Sequence, residues 1–142
     1  MSTVIEVADA LTRSLNDREF SIPFTAERLL LPEFELGDMD TLHVTVVPKS
    51  IKMTSLGRGQ MQRDVEIDVA VQMRYREATP EEIDPLMELV DEIAEAYPGR
   101  RLETMPLASC LRVENDPIYA PEHMQEYRQF TSLLTFVFRI AR

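Results

Sequence analysis

Met61-Gln62-Arg63-Asp64-Val65-Glu66-Ile67-Asp68-Val69-Ala70-Val71-Gln72-Met73-Arg74-Tyr75 alternates apolar and polar side chains along its length. Met61, Val65, Ile67, Val69, Val71, Met73 and Tyr75 take the odd positions, with Arg63 the exception. Gln62, Asp64, Glu66, Asp68, Ala70, Gln72 and Arg74 take the even ones. A helix would scatter these two sets around its circumference. A strand sends them to opposite faces, because successive side chains point to opposite sides. Residues 61–75 are therefore expected to form one long amphipathic strand, the spine of the fold. At roughly 3.3 Å per residue it would span about 50 Å, whereas a compact chain of this length has a diameter of about 37 Å. Either a bulge bends the strand, or its N-terminal end projects from the domain and needs a neighbour to cover it.

Upstream, residues 41–47 alternate in the same way, with Leu42, Val44 and Val46 against Thr41, His43 and Thr45, and Pro48 is expected to close that strand. Residues 49–62 hold Lys49, Lys52 and Arg58 with Gly57 and Gly59 and no acid, and Arg63 follows. This is the basic patch of the chain, and it reads as a projecting hairpin at about 48–63. Lys49, Lys52, Met53, Leu56, Arg58, Met61 and Arg63 are its candidate contact residues. Further upstream, Arg28-Leu29-Leu30-Leu31 is a short strand candidate, and residues 33–40 read as an acidic turn. Near the start, Val4, Val7, Ala8, Leu11 and Leu15 recur at helical spacing over residues 3–15, and Thr3 with Glu6 has capping-box spacing.

Downstream, Thr79-Pro80-Glu81-Glu82 combines an N-cap, a proline at the first helical position and a capping box. The apolar set Ile83, Leu86, Met87, Val90, Ile93, Ala94 and Tyr97 continues that helix to Pro98-Gly99. It is expected to lie across the apolar face of the long strand. Residues 105–113 alternate as Met105, Leu107, Ser109, Leu111 and Val113, residues 115–126 read as a loop, and residues 127–140 form a final strand with Phe130, Ser132, Leu134, Phe136, Phe138 and Ile140 on one face. Leu133 and Val137 suggest that its other face is partly covered too. The order α-β-β-β-α-β-β predicts one α+β domain over residues 1–142: a two-layer sandwich of a mainly antiparallel sheet with helices on one face.

The 142 residues carry 15 basic and 25 acidic side chains, a net charge of −10. That balance argues against a general phosphate-backbone binder, which needs a surplus of Lys and Arg. No apolar run approaches the ~18 residues of a membrane span, and the first residues show no basic and apolar leader. The single cysteine, Cys110, reads as a small buried hydrophobe. Gly57-Arg58-Gly59 is too short for a nucleotide loop and precedes a strand. His43 and His123 are isolated from each other and read as surface, interface or loop residues. No catalytic, cofactor or metal constellation is read. Asp64, Glu66 and Asp68 on one strand face are the sharpest carboxylate cluster. They read as a solvated sheet face, with a divalent-cation or acid–base role as the alternative.

The layout resembles the tail-terminator (tail-completion) proteins of long-tailed bacteriophages. The resemblance rests on the helix at 3–15, on Leu42-His43-Val44-Thr45-Val46-Val47-Pro48 followed by a polar loop and Asp64-Val65-Glu66-Ile67-Asp68-Val69-Ala70-Val71-Gln72, and on the acidic helix after Thr79 with two strands behind it. It spans nearly the whole chain and is one of layout rather than of an invariant motif. It implies a non-catalytic virion protein, assembled in the host cytoplasm, that forms a hexameric ring on the head-proximal end of the tail tube. Such a ring would stop tube polymerisation and offer a surface to the head–tail connector. Its expected partners are further copies of itself, the tail tube protein and the connector protein, with DNA passing through the lumen without specific binding and no membrane involved. Asp64, Glu66 and Asp68 are then candidates for an acidic lumen or for outer surface. Another neck protein, or a small ligand-binding α+β module, is the alternative.

Overall fold

A computed structural model describes residues 2–30, 41–126 and 128–141. The acidic turn expected at 33–40 lies outside them, as do Leu31, Pro32 and Tyr127. The elements are α1 (Thr3–Asp17), β1 (Ala26–Arg28), β2 (His43–Gly57), β3 (Gln60–Arg74), α2 (Pro80–Glu95), β4 (Arg101–Leu102), β5 (Met105–Asn115), α3 (Pro121–Glu126) and β6 (Gln129–Ala141). The fold is α+β, with a mixed six-stranded sheet in the order β1-β2-β3-β6-β5-β4. β1 runs parallel to β2 and every other pairing is antiparallel. Two elements depart from the expected order. A two-residue strand, β4, precedes β5, and the stretch read as a loop at 115–126 contains α3.

The long strand is present as β3. It pairs with β6 in unbroken antiparallel register from Gln62↔Ala141 to Arg74↔Gln129. Its odd positions Val65, Ile67, Val69 and Val71 are fully buried in the core with Phe130, Leu134, Phe136, Phe138 and Ile140 of β6. Burying a side chain of this kind contributes roughly 1.5–3 kcal/mol, so the β3–β6 pair is the main apolar investment of the sheet. Phe136 stacks on Phe138 and meets the edge of Tyr97.

β2 runs to Gly57, ten residues past the expected last residue Val47, and the stretch read as a hairpin tip is largely strand. Proline has no N–H to donate, which would break an interior strand. Here β1 covers only Val44–Val46, so Pro48 sits on an edge, at a bulge between Pro48 and Ser50 that absorbs Lys49. The hairpin turns on Arg58-Gly59, both at positive φ (51° and 78°), as a two-residue turn matched to strand twist requires.

α1 buries Val7, Ala8, Leu11 and Leu15 as the stripe predicts, and packs on β1, β2 and β3. Its N-cap is Ser2, which makes no side-chain cap bond, so the Thr3–Glu6 capping box is not the start of the helix. At its other end the Asn16 amide brackets Ala26, accepting its N–H at 2.7 Å and donating to its carbonyl at 3.1 Å, which fixes β1 beside β2. β1 is therefore two residues earlier than the 28–31 candidate. α2 starts at Thr79 and Pro80 as expected, but Glu82 accepts the N–H groups of Arg76 (2.9 Å) and Glu77 (3.3 Å) rather than closing a capping box. α2 packs on β5 and β6, so it is α1, not α2, that crosses the long strand.

β5 keeps the expected face at its ends, where Met105 is buried and Val113 packs against the core, and departs from it in between. Ala108 and Cys110 are buried, whereas Leu107 and Leu111 are 55% and 39% exposed. Cys110 pairs with Phe138 and Arg112 with Val137, so Leu111 is an extra, bulged residue. One inserted residue shifts the phase of a two-residue repeat, so Val113 follows Cys110 onto the core face three residues later.

Candidate functional site

The seven contact candidates of the basic segment do not form one patch. Met53, Met61 and Arg63 continue the face of the sheet that carries the core: Met53 is opposite Arg63, and Met61 is opposite Ser55. Met53 and Arg63 line an open groove of about 500 Å³ against Ser2, Thr3 and Val4 at the start of α1. Lys49 and Lys52 belong instead with the acidic row. Lys49 Nζ is 4.0 Å from Asp68 Oδ1, and Lys52 lies directly across from Asp64. Leu56 and Arg58 sit at the tip, where a second bulge separates Ser55 from Gly57. Among the described residues, the two strands pair only with each other from Ser55 to Met61, because β6 ends opposite Gln62. Residues 52–60 are exposed throughout. Met53 and Leu56 are large apolar side chains at 57% and 49% exposure.

Asp64, Glu66 and Asp68 do share the face of β3 away from the core, all half-buried. They are not a row of bare charges. Arg139 donates two bonds to Asp64, at 2.9 and 3.1 Å. Ser50 donates to Glu66 at 3.2 Å, and Thr135 donates to Asp68 at 2.8 Å. The hydrogen bond from Arg139 is the main reason that the Asp64 carboxyl is held below the ordinary carboxylate range, with partial burial opposing it. Cross-strand pairs of opposite charge stabilise a sheet by roughly 0.2–1 kcal/mol each. The chemistry of this row is therefore mutual neutralisation within the sheet. Among the described residues no group of three or more His, Cys, Asp or Glu is placed to hold a metal ion. The two histidines have different partners: His43 Nε2 is 3.3 Å from Thr41 Oγ1, and His123 Nδ1 is 2.8 Å from Thr131 Oγ1. Cys110 is buried, and desolvation pushes its thiol up to about 11.

The same face holds a feature that the sequence pattern did not suggest. Val47, Asp68, Ala70, Thr131 and Leu133 floor a pocket of about 240 Å³, walled by Pro117, Ala120 and His123. The segment before α3 is held there by the bonds from Ala120 N–H to Thr131 C=O (2.9 Å) and from Leu133 N–H to Pro117 C=O (3.1 Å). Beneath this end of the face, Gln72 is fully buried with neither amide atom hydrogen-bonded, and the Thr45 hydroxyl is likewise buried without a partner. The only sequence signal for this cover was the apolar pair Leu133 and Val137 on the second face of the last strand, since residues 115–126 carry no periodicity.

No protein-family model and no curated protein matches this chain. No described helix is long and apolar enough to cross a membrane.

Proposed function

We propose that the chain is a structural, non-catalytic subunit of a phage tail, a tail terminator whose copies close into a hexameric ring at the head-proximal end of the tube. The observation that carries this reading is the β2–β3 hairpin. It ends in a tip of paired strands without further sheet neighbours, and exposes Met53 and Leu56 among Lys52 and Arg58. Exposed apolar side chains at the end of a rigid two-stranded arm make a contact surface for another subunit. In this reading α1 and α2 form one layer against the core face of the sheet, a two-layer sandwich, and leave the arm and the part of the second face not covered by residues 117–123 for assembly.

The second face carries Asp64, Glu66 and Asp68 with Arg139, Arg112 and Lys49 around them. As the lining of a lumen it would be close to neutral rather than strongly acidic, which suits DNA that slides without binding. The tail tube protein and the head–tail connector would meet the two ends of the ring. Deleting the gene should give tails of irregular, excessive length by electron microscopy, rescued by supplying the protein. Tails of normal length and normal head joining in the deletion would refute the proposal.

A further inference from the structure

We infer that Leu56 at the hairpin tip of one copy inserts into the pocket beneath Pro117, Ala120 and His123 of the next copy, making a head-to-tail contact. The inference rests on the ring reading for closure, and on its own observations for the contact. The pocket, at about 240 Å³, is below the roughly 300–1,000 Å³ of ordinary small-molecule sites. That size suits one or two aliphatic side chains better than a cofactor. Its floor and walls are mainly apolar, from Val47, Ala70, Leu133, Pro117 and Ala120. Binding energy at interfaces concentrates on a few side chains seated in desolvated pockets, with weaker contacts around them that exclude water.

Charge selects the occupant. Asp68 lines the pocket, and the exposed Asp116 and Glu122 adjoin its lining residues Pro117 and His123. Leu56 sits between Lys52 and Arg58, in a stretch that has no acidic residue from 49 to 63. Both charges of the tip therefore meet a rim of opposite sign, although Lys49 of the same copy already lies beside Asp68. The tip does not reach its own pocket. Asp68 is eight residues along β3 from Gln60, about 26 Å at the rise of a strand, and the hairpin is too rigid to fold back on itself. The contact thus joins two different patches on two copies. A heterologous contact of this kind closes a ring when its rotation divides the circle, and otherwise gives open chains.

The test uses full-length Leu56→Asp and Ala120→Trp in sedimentation and native mass measurements, with circular dichroism to check folding. Each variant alone should lose self-association, because every copy lacks one half of the contact. An equimolar mixture should form one-to-one dimers, since one tip and one pocket remain intact. Association of either variant at the wild-type level, or a mixture that stays monomeric, overturns the inference. If Ala120→Trp does not fold, the double variant Leu56→Cys/Ala120→Cys decides: oxidation should link copies in series, and the absence of intermolecular disulfides overturns it. Wild-type rings that persist in Leu56→Asp would sink the contact and leave the ring reading standing. Open wild-type chains abolished by Leu56→Asp would uphold the contact and sink the ring. A wild-type chain that stays monomeric at every concentration contradicts both.

Discussion

Gln72 is buried with an amide that bonds to nothing, and Thr45 has a buried hydroxyl in the same condition. A buried polar group without a partner costs about 1–3 kcal/mol. Gln72→Met keeps the length of the side chain and removes both orphan atoms. It should raise unfolding stability by about 1–2 kcal/mol in urea titrations, and a loss of stability would show that the amide has a partner in solution. Cys110 makes the opposite kind of statement. Its thiol is pushed up to about 11 by burial, so the folded chain keeps a proton that the unfolded chain releases near pH 8.5–9. An acid whose folded value is raised contributes stability below the unfolded value and loses it as pH rises from about 9 toward 11, by at most about 1.4 kcal/mol per unit. Cys110→Ala should lack this part of the alkaline decline. The native thiol should also resist thiol reagents at pH 8 and react on unfolding. Rapid modification of the folded protein would place Cys110 at the surface.

Among the elements, β3 was legible because fifteen residues repeat a period of two and nothing competes with that signal. α1 and α2 were legible from their stripes, although neither capping box forms: Ser2 is the N-cap of α1 without a side-chain bond, and Glu82 accepts from the loop before Thr79 instead. The rest was hidden by features that act across the sheet. A bulge at Leu111 shifts the phase of β5 between Cys110 and Val113, and the edge position of Pro48 lets β2 continue where an interior strand would stop. The strand order was not readable either, because β6 enters between β3 and β5 through contacts distant in sequence. Of the candidate site, the basic tip was legible as a run of Lys and Arg without acids. The pocket was not, because its walls come from an aperiodic segment and its floor from three strands. The register gives a clean cut for the arm: Lys52 is opposite Asp64. Replacing residues 53–63 by Asn-Gly joins that pair through a favoured two-residue turn. The shortened protein should stay folded by circular dichroism and lose self-association. Unimpaired assembly without the arm would remove the arm from the account.

At the scale of the whole molecule, the free subunit carries a net charge of −10, which favours solubility and opposes association of copies through the bulk of their surfaces. Contacts between copies must then be local, and they fall where the charge reverses sign, at the basic tip. Most of the acidic row does not supply a second such place, because Arg139 and Ser50 already satisfy Asp64 and Glu66; its Asp68 end, held by Thr135, lines the pocket. A ring built from this chain is therefore held by its arms, each tip seated at the covered end of the next copy's second sheet face. Native mass spectrometry of the purified chain tests this most directly. The account predicts a discrete species at six times the 16.4 kDa subunit mass, lost when residues 53–63 are replaced. A monomer at all concentrations, or a continuous ladder of sizes without a closed species, would contradict it.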